Sequence, residues 1–208
     1  MTQRFVVTGT DTGIGKTVFA AGLADALQAT YWKPIQCGLE DGGDTARVRR
    51  LADLPERRVL PEAYRLAMPA SPHRAAEAEG VAISISRLVL PEIAEPLVVE
   101  GAGGLMVPIS RECLQIDVFR SWRCPVILVA ATRLGTINHT LLSIEALNGR
   151  NIPIQGIAFV GDEMADTERT ICEMGNVRRL GRLPHLATLT PQSLRGAFEA
   201  NFRREDFA

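Results

Sequence analysis

The chain has 208 residues, 46% of them apolar and 23% charged, which suits one α/β domain over residues 1–208 and argues against disorder. Lys and Arg number 23 against 24 Asp and Glu, a formal net charge of -1, so the basic surplus that nucleic-acid binding demands is missing. The longest apolar run, Val126 to Ala131, is too short to span a bilayer, and Met1 to Phe5 holds no apolar leader. The expectation is a cytoplasmic protein with neither a nucleic-acid nor a membrane partner.

In chain order, Phe5-Val-Val-Thr8 is a β-branched strand run. A glycine-rich segment, Gly9 to Thr17, leads into a helix over Val18 to Leu27, where Phe19, Leu23 and Leu27 form one stripe. Tyr31-Trp32 reads as a short strand. Beyond Gly42-Gly43, Asp44 is placed to cap a helix on which Arg47, Arg49 and Arg50 make a solvated face. Ser86 is placed to cap another, with Leu88 and Ile93 turned inward and Pro91 disturbing it. Three buried strand runs follow, at Leu97 to Glu100, Val126 to Val129 and Ile154 to Val160. Between the last two, a helix runs from an Asn138 N-cap to Leu147, with Gly149 just beyond. Pro191 to Phe202 is a last amphipathic helix. Apolar strands alternating with helices predict a doubly wound, mainly parallel sheet flanked by helices, without repeats or linkers. Cys37, Cys113, Cys124 and Cys172 have no zinc spacing and read as reduced thiols, most of them buried. Trp32, Trp122 and the phenylalanines read as core, His73 as fixing a turn and His139 as a surface residue near a helix N-terminus.

The strongest chemical signal is Gly9-Thr-Asp-Thr-Gly-Ile-Gly-Lys-Thr17, between a strand and a helix and one residue longer than the G-x-x-x-x-G-K-[ST] template. Glycines let backbone N–H groups turn toward one phosphate, and the helix N-terminus adds its dipole. Lys16 then reaches the β- and γ-phosphates of ATP, the Thr17 hydroxyl ligates Mg²⁺, and Val18 offers a further N–H. Lys33, in Trp32-Lys-Pro-Ile-Gln-Cys-Gly38, stands at the carboxyl end of a strand, where ligands bind in open α/β sheets. Alone it reads as an exposed lysine; beside a phosphate loop it reads as a charge neutraliser for phosphoryl transfer. Glu100, in Val99-Glu-Gly-Ala-Gly-Gly104, reads as a hard oxygen ligand to Mg²⁺ or as the last residue before an ordinary glycine turn.

Together these segments resemble the dethiobiotin synthetases, P-loop ligases whose loop reads G-T-D-T-x-x-G-K-T and whose other signatures are K-P-x-x-[ST]-G and V-E-G-A-G-G. The resemblance implies Lys33 and Lys16 as catalytic residues and Thr17, Asp44 and Glu100 as Mg²⁺ ligands. It implies an ATP site made of Thr12, Gly13, Ile14, Gly15, Lys16, Thr17, Val18, Asp44, Glu100, Gly101, Ala102 and Gly103. Pro184, His185 and Leu186, from Gly181-Arg-Leu-Pro-His-Leu186, would pack on the base. Cys37, Thr12, Gly135 and Asn138 would bind the other substrate, the last two from Leu134-Gly-Thr-Ile-Asn-His139, a loop into a helix suited to a carboxylate. Ala70-Ser-Pro-His73 resembles the family's S-P-H turn. Three positions depart from the family: Cys37 replaces Ser or Thr, Gly13 replaces an acidic residue, and Val160-Gly-Asp162 replaces an Asn-Asp pair that reads the base.

The implied reaction joins CO₂ and 7,8-diaminopelargonate at the expense of ATP, in a homodimer whose partner completes the substrate site. Three other readings stay open beside it. Partner-switching ATPases share the loop but carry a second lysine where Asp11 stands. Cobyrinate-type amidoligases need a glutaminase domain for which 208 residues leave no room. A silent paralogue would bind nucleotide without turnover.

Overall fold

In a computed structural model describing Gln3 to Phe207, β1 (Arg4–Gly9) is the middle strand of a seven-stranded sheet. Met1, Thr2 and Ala208, where the leader reading starts and the chain ends, lie outside the described residues. From β1 the chain enters α1 (Lys16–Ala26), then β2 (Thr30–Trp32), β3 (Ile35–Cys37), α2 (Gly43–Leu51), β4 (Val59–Leu60), β5 (Tyr64–Leu66) and α3 (Pro72–Ala78). After a long irregular stretch come β6 (Leu97–Gly104), α4 (Gln115–Trp122), β7 (Val126–Ala131), α5 (Thr136–Asn148), β8 (Ile154–Val160), α6 (Ala165–Gly175), β9 (Arg179–Leu183) and α7 (Pro191–Asn201). The main sheet has the order β4-β2-β6-β1-β7-β8-β9 with every pairing parallel. A second, parallel pair, β3 with β5, stands beside it.

Successive strand residues face opposite sides, so each central strand feeds two cores. Val7, Ile127 and Val129 join α1, α2 and α7 through Phe19, Leu23, Val48 and Phe198. Val6 and Val126 instead meet Ile116, Phe119 and Leu147 of α4 and α5, and Leu128 and Ala130 meet Ile144 and Ile171 of α5 and α6. Strands covered on both faces are the reason these runs are continuously apolar. From β1 the chain crosses to β2 on one side, and the later β6-to-β7 connection steps over β1 to the other side, so the phosphate loop emerges from the strand at which the winding reverses.

Five local expectations are corrected. The first helix begins at Lys16 rather than Val18, because Gly15, at φ 96°, is its N-cap. Asn138 lies inside α5, whose N-cap is Gly135 at φ 92°; a left-handed glycine opens the helix three residues earlier than a side-chain cap would. Asp44 is likewise inside α2, capped by Gly42, which frees its carboxylate for other partners. Around Ser86 there is one 3-10 turn, Ile85–Arg87, and no α-helix: the Ser84 and Ser86 hydroxyls bond each other at 2.8 Å, and Pro91 removes a donor soon after. Of the four cysteines Cys124 alone is buried; the other three are half-buried.

Candidate functional site

The loop after β1 is shaped by close approach. A Cβ on Gly9 would stand 2.6 Å from Ile14 Cδ1 and 2.9 Å from Lys16 Cδ, and one on Gly15 would stand 2.8 Å from Val160 Cγ1. Gly13 and Gly15 both have positive φ, which turns the backbone into α1. No side chain caps α1 and no acidic residue stands in its first turn, so its N-terminal N–H groups are open to an anion. Lys16 folds back so that its Nζ donates to the Asp11 carbonyl at 2.6 Å. Burial lowers its pKa to about 8, against the pull of Glu100. A bound anionic phosphate would favour the charged form that burial disfavours here.

Lys33, one residue past β2, is 3% exposed rather than a surface lysine. Its Nζ lies 2.8 Å from Asp44 Oδ2, 3.0 Å from Glu100 Oε1 and 3.0 Å from the Gly101 carbonyl, so all three ammonium protons have acceptors. Burial works against its charge, but Glu100 and Asp44 outweigh it and hold the pKa above the ordinary lysine value. Asp44 is the converse case: burial raises its pKa, and Lys33, joined by the Thr17 hydroxyl and Lys16, more than cancels that. Thr17 Oγ1 stands 3.0 Å from Asp44 Oδ1 and 2.9 Å from Glu100 Oε1. Tyr31 donates its phenol to Glu100 Oε2 at 2.9 Å, and burial, with the Glu100 charge, pushes its pKa well above the usual value. It is therefore a neutral donor. A hydroxyl and two carboxylates are the donor type of Mg²⁺, and the Lys33 ammonium marks a place where the carboxylates already hold a cation. Among the described residues no group of three or more His, Cys, Asp or Glu side chains forms a metal cage. Magnesium's usual set is one or two carboxylates completed by substrate phosphates and water, and these residues fit it.

Above this cluster lies a cavity of about 650 Å³, lined by Thr12, Lys16, Thr17, Lys33, Cys37, Asp44, Glu100, Ala102 and Gly103, among others. Pro69 to Pro72 form another part of its wall, and Ser71 Oγ is 3.0 Å from His73 Nδ1, which fixes that turn. Burial pushes the Cys37 thiol up to about 11 despite Lys33, so it stays protonated. A second cavity, of about 540 Å³, is lined by Ile14, Val18, Thr132, Gly161, Asp162, Pro184, His185 and Leu186, among others. Gly13, Gly15 and Val18 line both.

Most of the residues the sequence singled out thus converge, with three departures. Gly101 faces away from the large cavity, toward Phe119 and Gln115, and contributes its carbonyl to Lys33. Gly135 and Asn138 are exposed and line neither cavity of their own chain. Three polar residues escaped the sequence reading. Tyr31 is one; Gln36 accepts from the Asp44 backbone N–H at 3.0 Å, and Gln115 accepts from that of Ala102 at 2.7 Å. Their signal was a polar side chain beside apolar neighbours, which in a buried setting needs a partner.

A family model described as an AAA domain matches residues 3–193. A curated relative named ATP-dependent dethiobiotin synthetase BioD, from Rhodopseudomonas palustris (strain BisB5), is 64% identical over 207 residues, covering 100% of this chain and 98% of its own. Relatives of the same name from Novosphingobium aromaticivorans and Bradyrhizobium sp. (strain BTAi1) are 60% and 59% identical, with 98% and 100% of each chain covered. Among solved structures, the septum site-determining protein MinD of Pyrococcus horikoshii with Mg-ADP superposes at a TM-score of 0.53 and 14% identity, over 100% of this chain and 89% of that one. A ParA family ATPase from Chlorobium tepidum gives 0.50 at 12% identity, over 100% and 93%. These two likenesses speak for the fold alone. From the full-length relatives it follows that the chain belongs to the ATP-dependent dethiobiotin synthetases, a family of P-loop ligases.

Proposed function

We propose that the protein carries out the ATP- and Mg²⁺-dependent ring closure of 7,8-diaminopelargonate with CO₂ to dethiobiotin, ADP and phosphate, a step of biotin biosynthesis in the cytoplasm. The observation that carries the reading is Lys33 Nζ, held within 3.0 Å of Glu100 and 2.8 Å of Asp44 on the wall of the cavity that also contains Lys16. One substrate amine captures CO₂ as a carbamate. A carbamate oxygen attacks the γ-phosphorus of ATP, expelling ADP and giving a carbamic–phosphoric anhydride. The second amine then attacks the carbamoyl carbon, closes the ureido ring and expels phosphate.

No enzyme nucleophile enters this scheme, so the residues act by position and charge. The open N-terminus of α1 and Lys16 take the terminal phosphates, and Thr17, Asp44 and Glu100 hold Mg²⁺, which when bound neutralises phosphate charge. Lys33 offsets charge on the carbamate and the transferring phosphoryl group. Cys37 and Thr12 face the diamine, and the base packs against Pro184, His185 and Leu186. Gly135 and Asn138 line neither of the two cavities described above, so on this reading their part in holding the substrate calls for a second copy. A homodimer is therefore part of the proposal; the exposed Leu134 stands beside Gly135, and the exposed Leu142 lies one helical turn past Asn138 on α5.

The test is phosphate release from Mg·ATP in bicarbonate buffer, with and without 7,8-diaminopelargonate, with dethiobiotin followed by mass. Equal amounts of phosphate and dethiobiotin, dependent on the diamine, bear the proposal out. Release indifferent to the diamine, or no turnover with ATP bound, overturns it. Sedimentation at assay concentrations reads the dimer.

A further inference from the structure

Glu100 uses its two oxygens differently. Oε1 faces Thr17 Oγ1 at 2.9 Å and Lys33 Nζ at 3.0 Å, on the side of the cavity. Oε2 takes the Tyr31 phenol at 2.9 Å, on the side of the core. The pairing of β2 with β6 sets this up: Tyr31 is in register with Val98, and Val98 and Glu100 share one face of β6 two residues apart. The phenol therefore runs forward along its neighbour to the carboxylate, while the ring stays packed among Val98, Ala24 and Val48 in the core cluster behind α1. Tyr31 is fully buried, as is the far oxygen it satisfies, so no water competes for the contact.

From this geometry we infer that Tyr31 is a positioning residue for the metal: by tying down Oε2 it makes Glu100 a one-oxygen ligand. The inference rests on the proposed reading of Glu100 as a Mg²⁺ ligand and adds what fixes its mode of binding. Magnesium demands near-octahedral geometry at short distances, and a carboxylate giving one oxygen suits it; calcium accepts a carboxylate through both oxygens. A locked Oε2 thus favours Mg²⁺ over Ca²⁺, and an unlocked one lets Glu100 rotate toward a two-oxygen mode. Neither Lys33 nor Thr17 can do this, because both approach Oε1.

The experiment compares wild type with Tyr31→Phe, which keeps the buried ring and deletes the hydroxyl. ATP affinity is measured by calorimetry across Mg²⁺ and Ca²⁺ concentrations, without diamine, so the readout does not need turnover. The expected result is a half-saturating Mg²⁺ raised about tenfold or more, the usual scale for loss of a group that orients a metal ligand. Half-saturating Ca²⁺ should change less, so that the Mg²⁺ to Ca²⁺ preference falls, while metal-free ATP affinity holds. If wild type depends on Mg²⁺ and Tyr31→Phe keeps the same half-saturation and preference, Tyr31 has no such role. If wild-type ATP affinity ignores Mg²⁺ altogether, the metal reading of Glu100 falls and takes the inference with it. A measurement on the unmutated protein covers a variant that does not fold. The chain has two tyrosines, so ¹³Cζ-tyrosine labelling gives two resonances. Addition of Mg·ATP should move that of Tyr31 and leave that of Tyr64, assigned through Tyr64→Phe; a Tyr31 signal unmoved by Mg·ATP refutes the coupling.

Discussion

Replacing Lys33 by alanine removes an ammonium that satisfies Asp44, Glu100 and the Gly101 carbonyl at once. In a site that works by preorganised charge, loss of one such group lowers kcat by roughly 10²–10³-fold. Steady-state rates at saturating Mg·ATP read this, with a melting curve to establish folding, and a fall of less than threefold removes Lys33 from catalysis. At Cys37 the expectation concerns reactivity. With its pKa near 11, about one thiol in a thousand is thiolate at pH 8, and thiolate is the reactive form. Iodoacetamide should therefore label the Cys37 peptide slowly at pH 8 and roughly ten times faster at pH 9, read by mass spectrometry; fast, pH-independent labelling contradicts a burial-raised thiol. The sequence made Lys16, Thr17, Lys33 and Glu100 legible because local pattern places each at a strand end or helix start. It did not make the burial of Lys33 legible. That depends on Glu100, 67 positions away in the chain, and a lysine after a short strand otherwise reads as solvated. Tyr31 is hidden for the same reason, its partner lying 69 positions off.

At the scale of elements, α1 and α7 meet where α1 has no side chain. A Cβ on Gly22 would stand 2.5 Å from Phe198 Cδ2, and that ring is already stacked on Phe202 with centroids 4.5 Å apart. Gly22→Ala gains about 1 kcal/mol of helix propensity, but overpacking costs about 1–3 kcal/mol. The balance expected is a net loss of about 1 kcal/mol, read as a lower urea midpoint at unchanged slope. A raised midpoint means the ring yields. Elements with strong periodicity were legible: β8 spans Ile154–Val160 as expected, and the last helix ends one residue earlier than expected, at Asn201. Helix starts were not. At α1, α2 and α5 the caps are Gly15, Gly42 and Gly135 in left-handed backbone, whereas sequence signals favour polar caps such as Asp44 and Asn138. The β3–β5 pair, whose strands Ile35–Cys37 and Tyr64–Leu66 are three residues each, is too short for periodicity to register.

Across the whole molecule, the end of the chain returns to its beginning. Phe207 is fully buried, 6.1 Å edge-on from Phe5 and 6.2 Å from Phe198, so it closes the core under β1 and α7. Phe207→Ala leaves a cavity there and should lower stability by about 3 kcal/mol, measured by denaturant titration. A loss under about 1 kcal/mol would mean the segment contributes little to that core. The parallel, doubly wound sheet was legible as a class from the continuous apolar strands. The strand order was not, since nothing local says that β1 inserts between β6 and β7.

The two cavities share Gly13, Gly15 and Val18, so the phosphate loop is the wall between them. On the proposed reading a nucleotide straddles that wall, its base on one side and its reacting phosphate on the other. Thr132, Asp162 and His185 stand around the base side alone, while Lys33, Asp44 and Glu100 stand on the reacting side alone. On that same reading, recognition of the nucleobase and the chemistry would be anchored on separate strands, with a shared backbone loop as their common frame. A lineage can therefore exchange the residues that choose among nucleoside triphosphates while the ring-closing apparatus keeps its place. In this chain Val160-Gly-Asp162 departs from the Asn-Asp pattern on the base side, while Val99-Glu-Gly-Ala-Gly-Gly104 on the reacting side keeps the V-E-G-A-G-G pattern in full.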